Sequence, residues 1–407
     1  MRGGAASRLT FFFGLLLLAA VVGCAAARRA VPFDTPFDQP LVPADDPAVS
    51  HSLSDDGTHL IAKPSVMRKP REVLALSSGG VYGAFTAGVL SGWTAAGDRP
   101  EFDVVSGVST GALIAPFAFL GPEYDCRANR LYVGVKAEDI YCFRSWVTIP
   151  FRDSLATSWP LRKLIETQLS QDLVAKIAAE HHRGRRLYVG TTNLDTKKLV
   201  VWDLGAIACR PEPRTCQLMR DILLASASVP GILPPVAIDI DVNGKLFREL
   251  HCDGGATSTI FMPSGVFEAA AAERSLADPP GHLTAIVAGK LSPDISAVRR
   301  RVLPVLSATA EALLYSNTRS ELANLAADAH RAGLEYHPIA LRQDFLTVED
   351  SLNFDKKEQT RLLAEGMRVG MECRKPGAST DVEPKTLPVE IRTGVKLKRG
   401  EPASNVP

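Results

Sequence analysis

The sequence predicts an α/β fold, in which a mostly parallel central sheet is flanked by helices and carries a hairpin insertion. Short apolar runs alternate with segments whose apolar residues have helical spacing. Glycine-rich turns follow the first two of these runs, and an Asn-Gly pair separates two later ones. Strands that alternate with helices favour a parallel sheet, whereas Asn-Gly between two strands is typical of a hairpin.

The first half of the predicted sheet consists of two strand–helix units. The apolar run VLALS at residues 73–77 predicts a buried strand, and residues 83–97 have helical apolar spacing. FDVVSG at residues 102–107 predicts the second strand, and TGALIAPFAFLG at residues 110–121 the second helix. Both strands end at glycines, so each predicted helix begins directly after a tight turn.

The later strands complete the predicted sheet. Asn243-Gly244 indicates a type I′ turn, because both central positions of that turn need positive φ. The predicted strands are RLYVGTTNL at 186–194, KLVVWDL at 198–204, VAIDIDV at 236–242, KLFREL at 245–250 and LTAIVAG at 283–289.

The sequence divides into four parts. Residues 1–23 have a basic start and an apolar stretch, as in a signal peptide, and residues 24–70 are rich in Pro and Asp, which predicts a flexible tether. A globular domain is expected over residues 71–372, and a polar, disordered tail over residues 373–407.

The apolar stretch ends in VVGC, which resembles the lipobox of bacterial lipoproteins. That resemblance implies a lipid on Cys24 and an anchor in a membrane of the bacterial cell envelope. Ala25 is what such signals usually show in proteins of the outer membrane. The alternative is an ordinary secretory signal in which Cys24 is incidental.

Composition argues against several other kinds of partner. Lys and Arg number 46 and Asp and Glu 45, so no basic surface for nucleic acid is expected. No Cys-x-x-Cys pair suggests zinc, and His181-His182 is interpreted as a solvated helix end. We expect neither a metal nor a cofactor.

In an exported protein Cys209 could pair with Cys216, and Cys126 with Cys142, although sequence does not determine connectivity.

Ser109 is the candidate nucleophile. It lies in GVSTG, between a predicted buried strand and a predicted helix, which is the context of a nucleophile elbow. Gly107 and Gly111 leave room for the strand and the helix to pack closely. The helix that follows points its N-terminal amides and its dipole at an oxyanion formed beside Ser109.

The turn SSGGVYGAF, residues 77–85, offers donors for that oxyanion. The backbone amides of Gly79, Gly80 and Val81 are the candidates, because this turn also joins a strand to a helix. A dinucleotide-binding loop is the competing interpretation. It is disfavoured because Ser78 occupies the first glycine position and no acid ends the second strand.

Two kinds of residue could serve as the base. An α/β-hydrolase triad would need a histidine after Ser109, and His251, His282, His330 and His337 are available without a distinctive context. Asp253, in HCDGGAT, follows a predicted strand and precedes two glycines. An Asp-Gly turn without any catalytic role has the same pattern.

Three motifs in this order resemble the patatin-like phospholipase family: SGGVYG at 78–83, GVSTG at 107–111 and DGG at 253–255. The likeness covers about residues 71–290. It implies a three-layer sandwich, Ser109 as nucleophile, Asp253 as base without a histidine, and Gly79, Gly80 and Val81 as the oxyanion hole. Two positions depart from the family pattern, since Ser78 replaces a glycine and Tyr82 a basic residue.

The function expected from this resemblance is acyl-ester hydrolysis of membrane phospholipids or lysophospholipids. A lipid anchor would raise the effective concentration of such a substrate. The alternatives are an esterase with a Ser-Asp-His triad and a lipid-binding lipoprotein without catalysis.

Overall fold

The computed structural model describes residues 67, 69–242, 245–272, 279–294, 297–346 and 354–373. The predicted signal peptide, with Cys24, lies outside these residues. Of the predicted tether only residues 67, 69 and 70 are described, and of the predicted tail only residue 373. The turn residues Asn243 and Gly244 also lie outside the described residues.

Eight strands form the main sheet within the described residues, in the order β10-β9-β1-β2-β5-β8-β7, with β6 on β5. The five strands from β10 to β5 run parallel, as predicted, and β6, β8 and β7 are antiparallel to their neighbours. The strands of the main sheet are β1 (Glu72–Leu76), β2 (Val104–Val108), β5 (Arg186–Asn193), β6 (Lys198–Asp203), β7 (Val236–Val242), β8 (Lys245–Asp253), β9 (Gly281–Ile286) and β10 (Leu334–Ile339). Two short strands, β3 (Cys142–Phe143) and β4 (Ala156–Thr157), form a separate sheet.

Helices connect these strands. They are α1 (Gly83–Ala96), α2 (Thr110–Leu120), α3 (Asp125–Arg130), α4 (Ala137–Ile140), α5 (Trp159–Gln168), α6 (Gln171–His182), α7 (Leu204–Ala208), α8 (Thr215–Ser226), α9 (Ser264–Ala272), α10 (Val302–Ala332) and α11 (Lys356–Gly370). In the part of the chain that the structure describes, no helix is long and apolar enough to cross a bilayer.

The sheet is the middle of three layers. Successive residues of β1 point to opposite faces, so Leu74 and Leu76 enter one apolar cluster and Val73 and Ala75 another. The first cluster includes side chains of α1 and α2, and the second includes side chains of α9 and α10. The predicted three-layer α/β sandwich is therefore confirmed, and its strands are apolar on both faces as buried parallel strands require.

The register on β5 brings the ends of β2 and β8 together. Val108, the last residue of β2, pairs with Gly190, and Asp253, the last residue of β8, pairs with Thr191. Because β6 pairs with both Gly190 and Thr191 as well, it occupies one edge of β5. β2 and β8 must therefore share the other edge, where they meet end to end.

Helices α1 and α11 pack with their backbones in contact. A Cβ at Gly92 would lie 2.1 Å from the carbonyl oxygen of Met367, and a Cβ at Gly370 would lie 2.1 Å from that of Val89. Gly88 and Gly366 are packed as tightly. Four glycines, spaced by four residues on each helix, thus allow an approach that no larger side chain would permit.

The structure decides two points about polar residues. Neither of the disulfides that the sequence left open, Cys209–Cys216 and Cys126–Cys142, is present. The His181 side chain is mostly buried instead of solvated, with Nδ1 3.7 Å from an Asp203 oxygen. Burial lowers the pKa of His181 to about 4, because the charged imidazolium is poorly solvated at the end of α6.

Candidate active site

Ser109 lies on a strained turn between β2 and α2. Its φ is 53° and its ψ is −118°, and it is one of two described residues other than glycine with positive φ. A Cβ at Gly107 would lie 2.5 Å from the Gly111 carbonyl oxygen, and a Cβ at Gly111 would lie 2.5 Å from that of Leu76. Both glycines are therefore required for the tight strand-to-helix packing that forms the predicted elbow.

Asp253 accepts a hydrogen bond from the Ser109 hydroxyl. The distance between Ser109 Oγ and Asp253 Oδ2 is 2.5 Å, and the other carboxylate oxygen accepts the N–H of Gly255 at 2.7 Å. The backbone N–H of Asp253 donates to the Ser228 carbonyl, which fixes the end of β8. The sharp turn after β8 thus orients the carboxylate so that one oxygen faces the serine.

The environment of Asp253 makes its carboxylate more basic. Asp253 is 5% exposed, and burial raises the pKa of its carboxyl group from 3.8 to about 6, because an ionised carboxylate is poorly solvated there. The hydrogen bonds from Ser109 and Gly255 oppose this rise without cancelling it. A carboxyl group with such a pKa is ionised near neutral pH and still able to take a proton.

Ser226, at the end of α8, supports the elbow and was not identified from the sequence. The Ser109 backbone N–H donates to Ser226 Oγ at 3.0 Å, and the Ser226 hydroxyl donates to the Gly190 carbonyl at 2.7 Å. This chain of two hydrogen bonds ties the strained residue to β5. The segment SASVPGILPPV, residues 226–236, resembles a block of the patatin-like family, but nothing in its sequence indicates this contact.

The turn after β1 places the predicted oxyanion donors beside the serine. Gly80 has φ 57°, and a Cβ at Gly79 would lie 2.1 Å from the Ala288 carbonyl oxygen. The Thr110 hydroxyl donates to the Gly80 carbonyl at 3.0 Å, which joins this turn to the start of α2. Among the described residues, no hydrogen-bond acceptor is found for the amides of Gly79, Gly80 or Val81. Gly79 and Gly80 are partly exposed, whereas Val81 is fully buried.

The two departures from the family motif have different structural consequences. Ser78 does not have positive φ, so the position does not need glycine, and its N–H donates to the Thr259 carbonyl at 2.8 Å. Tyr82 is half-buried against the core, where the family pattern has a basic residue. It therefore brings no positive charge to the site.

None of the four candidate histidines forms a hydrogen bond with the serine. His251 is fully buried, with Nδ1 3.0 Å from Thr191 Oγ1 and Nε2 3.1 Å from a Glu249 oxygen. His282 bonds Glu72, and His330 and His337 lie on α10 and β10. Among the described residues, no histidine hydrogen-bonds Ser109 or Asp253.

A cleft opens beside Ser109. Its lining is almost entirely apolar, which suits a hydrocarbon chain. The lining residues are Gly80, Ser109, Thr110, Leu113, Leu131, Tyr132, Ile140, Tyr141, Leu161, Leu164, Ala227, Val229, Ile232, Leu233 and Phe354.

One group of described residues could hold a metal ion, and it is remote from this cleft. His282, Glu335 and His337 place ligand atoms within 4.8 Å of one another. Glu335 pairs with His282 near the amino ends of β10 and β9, whereas Ser109 follows the carboxyl end of β2. The serine site itself contains one carboxylate and no second ligand group among its contacts.

The chain is similar to proteins of one known family. A family model described as patatin-like phospholipase matches residues 74–264, a range that contains Gly79, Ser109 and Asp253. A search of curated protein sequences gave no match. Among solved structures, VipD from Legionella pneumophila is 13% identical with a TM-score of 0.33, and the match covers 75% of this chain and 67% of VipD. The type III effector protein ExoU is 12% identical with a TM-score of 0.29, and the match covers 74% of this chain and 54% of ExoU.

Proposed function

Residues 74–264 form a patatin-like phospholipase domain, and on this basis we propose that the protein is a serine acyl-ester hydrolase that uses Ser109 and Asp253 alone. The substrates are membrane phospholipids or lysophospholipids. The observation that carries the proposal is the 2.5 Å hydrogen bond between Ser109 Oγ and Asp253 Oδ2, because Ser109 also lines an apolar cleft.

Acylation begins when Ser109 Oγ attacks the ester carbonyl and its proton passes to Asp253. The negative charge that develops on the carbonyl oxygen is stabilised by the amides of Gly79, Gly80 and Val81 and by the N-terminus of α2. The tetrahedral intermediate then expels the alcohol, which takes the proton back from Asp253. The products are the free alcohol, a lysolipid for a diacyl substrate, and an acyl group on Ser109.

Deacylation reverses these roles with water as the nucleophile. Asp253 accepts a proton from water as the hydroxide adds to the acyl carbonyl, and the same amides hold the oxyanion. Ser109 Oγ then leaves and recovers the proton, so the fatty acid departs and the site returns to its starting state. The raised pKa of Asp253, about 6, suits both proton transfers near neutral pH.

We also propose that Cys24 carries the lipid anchor and that the protein resides in the bacterial cell envelope, on the outer membrane. The lipobox-like VVGC and the Pro- and Asp-rich stretch after it support this location. A tethered enzyme stays close to its bilayer substrate without any additional binding contact.

The test compares the full chain with Ser109→Ala and Asp253→Asn on a soluble fluorogenic short-chain ester and on phospholipid vesicles. Ser109→Ala should be inactive, and Asp253→Asn should lose about 10³-fold in kcat, within the range of general-base catalysis. Asp239→Asn is the matched control, because this exposed carboxylate pairs with Arg248 and is not among the contacts of Ser109.

Two results would contradict the proposal in different ways. If Asp253→Asn stayed active while His282→Ala or His337→Ala failed, the enzyme would use a histidine-dependent triad. If the wild-type chain turned over neither substrate and Ser109 resisted a serine-reactive phosphonate, the protein would be a lipid-binding lipoprotein without catalysis.

A further inference from the structure

An exposed aromatic surface lies on the segment between α4 and α5 and on the first residue of α5. Phe143 is 70% exposed, Trp146 81%, Phe151 61% and Trp159 64%, which are unusual values for such large apolar side chains. We call these four residues the aromatic rim. Val147 and Leu155, on the same segment, are exposed as well.

The aromatic rim adjoins the cleft that leads to Ser109. Ile140 and Tyr141 line this cleft immediately before the segment, and Leu161 and Leu164 line it immediately after. Backbone hydrogen bonds also join the segment to residues 231 and 232, since the N–H of Leu155 donates to the Gly231 carbonyl and that of Ala156 to the carbonyl of Ile232, which lines the cleft too. The aromatic rim therefore belongs to a segment that is flanked on both sides by residues of the cleft wall.

The fold holds this segment in a defined shape. β3 and β4 pair antiparallel through Cys142 with Thr157 and Phe143 with Ala156. The buried Ser154 hydroxyl donates to the Ala156 carbonyl at 2.9 Å. The aromatic rim is thus presented by ordered backbone, with its aromatic side chains left facing solvent.

The segment that carries the aromatic rim has an excess of basic side chains. Residues 142–163 contain Arg144, Arg152, Arg162 and Lys163 against the single acid Asp153, although Arg162 pairs with Asp221. The Lys163 Nζ lies 5.3 Å from the centre of the Trp159 ring. Aromatic side chains beside cations are typical of surfaces that enter the headgroup region of anionic bilayers.

We propose that the aromatic rim inserts into the surface of an anionic phospholipid bilayer and so holds the mouth of the cleft against the lipid. This proposal rests on the proposed function, because the membrane then supplies the acyl ester. It is separate from the proposed lipid anchor, since an anchor at Cys24 would hold the protein near the bilayer without orienting the cleft.

Tryptophan fluorescence tests the insertion without turnover. The full chain carrying Ser109→Ala is mixed with phosphatidylglycerol–phosphatidylcholine vesicles whose acyl chains are brominated or plain. Of the four tryptophans, Trp93 and Trp202 are buried in the protein. Bromine quenches by contact, so we expect extra quenching with brominated vesicles, and its loss in Trp146→Phe/Trp159→Phe. Equal emission from both vesicles, while the chain sediments with them, would overturn the proposal.

Kinetics provide the second test, with the wild-type serine. Phe143→Ser/Trp146→Ser should lower hydrolysis of anionic vesicles at least about tenfold and leave hydrolysis of a soluble short-chain ester within about twofold. Met371→Ser is the matched control, an exposed apolar residue at the far end of α11 from Phe354. Unchanged vesicle hydrolysis in the double variant would refute docking by this surface.

Two further outcomes are distinguishable. If the wild-type chain self-associated in a concentration-dependent way, and Phe143→Ser/Trp146→Ser abolished this association but left vesicle hydrolysis unchanged, the aromatic rim would be an interface between copies and the membrane proposal would be wrong. If the wild-type chain hydrolysed neither ester, the proposed function would fail, while the quenching experiment would still report on insertion.

Discussion

Replacing Asp253 by asparagine should stabilise the protein at pH 8 while removing its activity. The folded protein raises the pKa of Asp253 from 3.8 to about 6, so an ionised carboxylate is less favourable in the fold than in the unfolded chain. An asparagine has the same shape, cannot ionise, and can still accept the Gly255 N–H through its oxygen. The substitution therefore removes the desolvation cost and retains that contact.

The magnitude follows from the two pKa values. At about 1.4 kcal/mol for each pH unit between them, the ionised carboxylate destabilises the fold by about 3 kcal/mol at pH 8. For a group whose pKa is raised by folding, the wild-type stability is greatest below 3.8 and falls as the pH rises through about 6. The advantage of Asp253→Asn should accordingly be largest at pH 8 and mostly gone at pH 4.

Guanidinium unfolding of both chains at pH 4, 6 and 8, followed by tryptophan fluorescence, measures this difference. Asp239→Asn is the control, and its effect on stability should be opposite to that of Asp253→Asn, because pairing with Arg248 lowers the pKa of Asp239. That variant should lose stability at pH 8, and the loss should shrink as the pH falls. If Asp253→Asn were less stable than the wild type at pH 8, or if the difference between the two chains did not change with pH, Asp253 would not be a desolvated base.

Three other measurements follow from the same structure. The kcat/KM of the wild type should fall tenfold per pH unit below about 6, as protonation removes the Asp253 base; a flat profile down to pH 4.5 would exclude this role. Ser226→Ala, which removes the acceptor for the Ser109 N–H, should lower kcat about tenfold and leave KM unchanged, whereas an equal rise in KM would indicate a substrate-binding role. Gly92→Ala should destabilise the chain by about 3 kcal/mol or more in thermal or denaturant unfolding, because its Cβ meets the Met367 backbone. Gly265→Ala, in open space, should change stability by less than about 1 kcal/mol, and similar effects of the two substitutions would contradict the packing argument.

The sheet could be predicted because its strands carry a strong local signal. β1 and β2 are continuous apolar runs that end at glycines, and the two antiparallel strands around residues 243–244 flank a turn-forming pair. Predicted and observed ends coincide or differ by up to three residues, since pairing with neighbours decides where a strand stops. The predicted β9, for example, began at Leu283, while pairing with β1 and β10 extends it to Gly281.

The candidate site was only partly predictable. Ser109 and Asp253 stood out through motif order, but their distance depends on the register of β2 and β8 on β5, which no local pattern encodes. Ser226 could not be found for the same reason, since its contact joins residues that are far apart in the chain. The aromatic rim lies in a segment without periodic pattern, so its exposure became visible only in the folded chain.

The glycine contact between α1 and α11 links the site to a distant part of the chain. Helix α1 follows the oxyanion turn directly, whereas its partner α11 begins only at Lys356. Phe354, which precedes α11, lines the cleft as well. Ser109 and Asp253 therefore lie in a site whose surroundings are completed by residues about 100 positions beyond Asp253. A fragment that ends after the DGG motif would contain both residues of the proposed dyad, but neither the helix that covers α1 nor this part of the cleft wall.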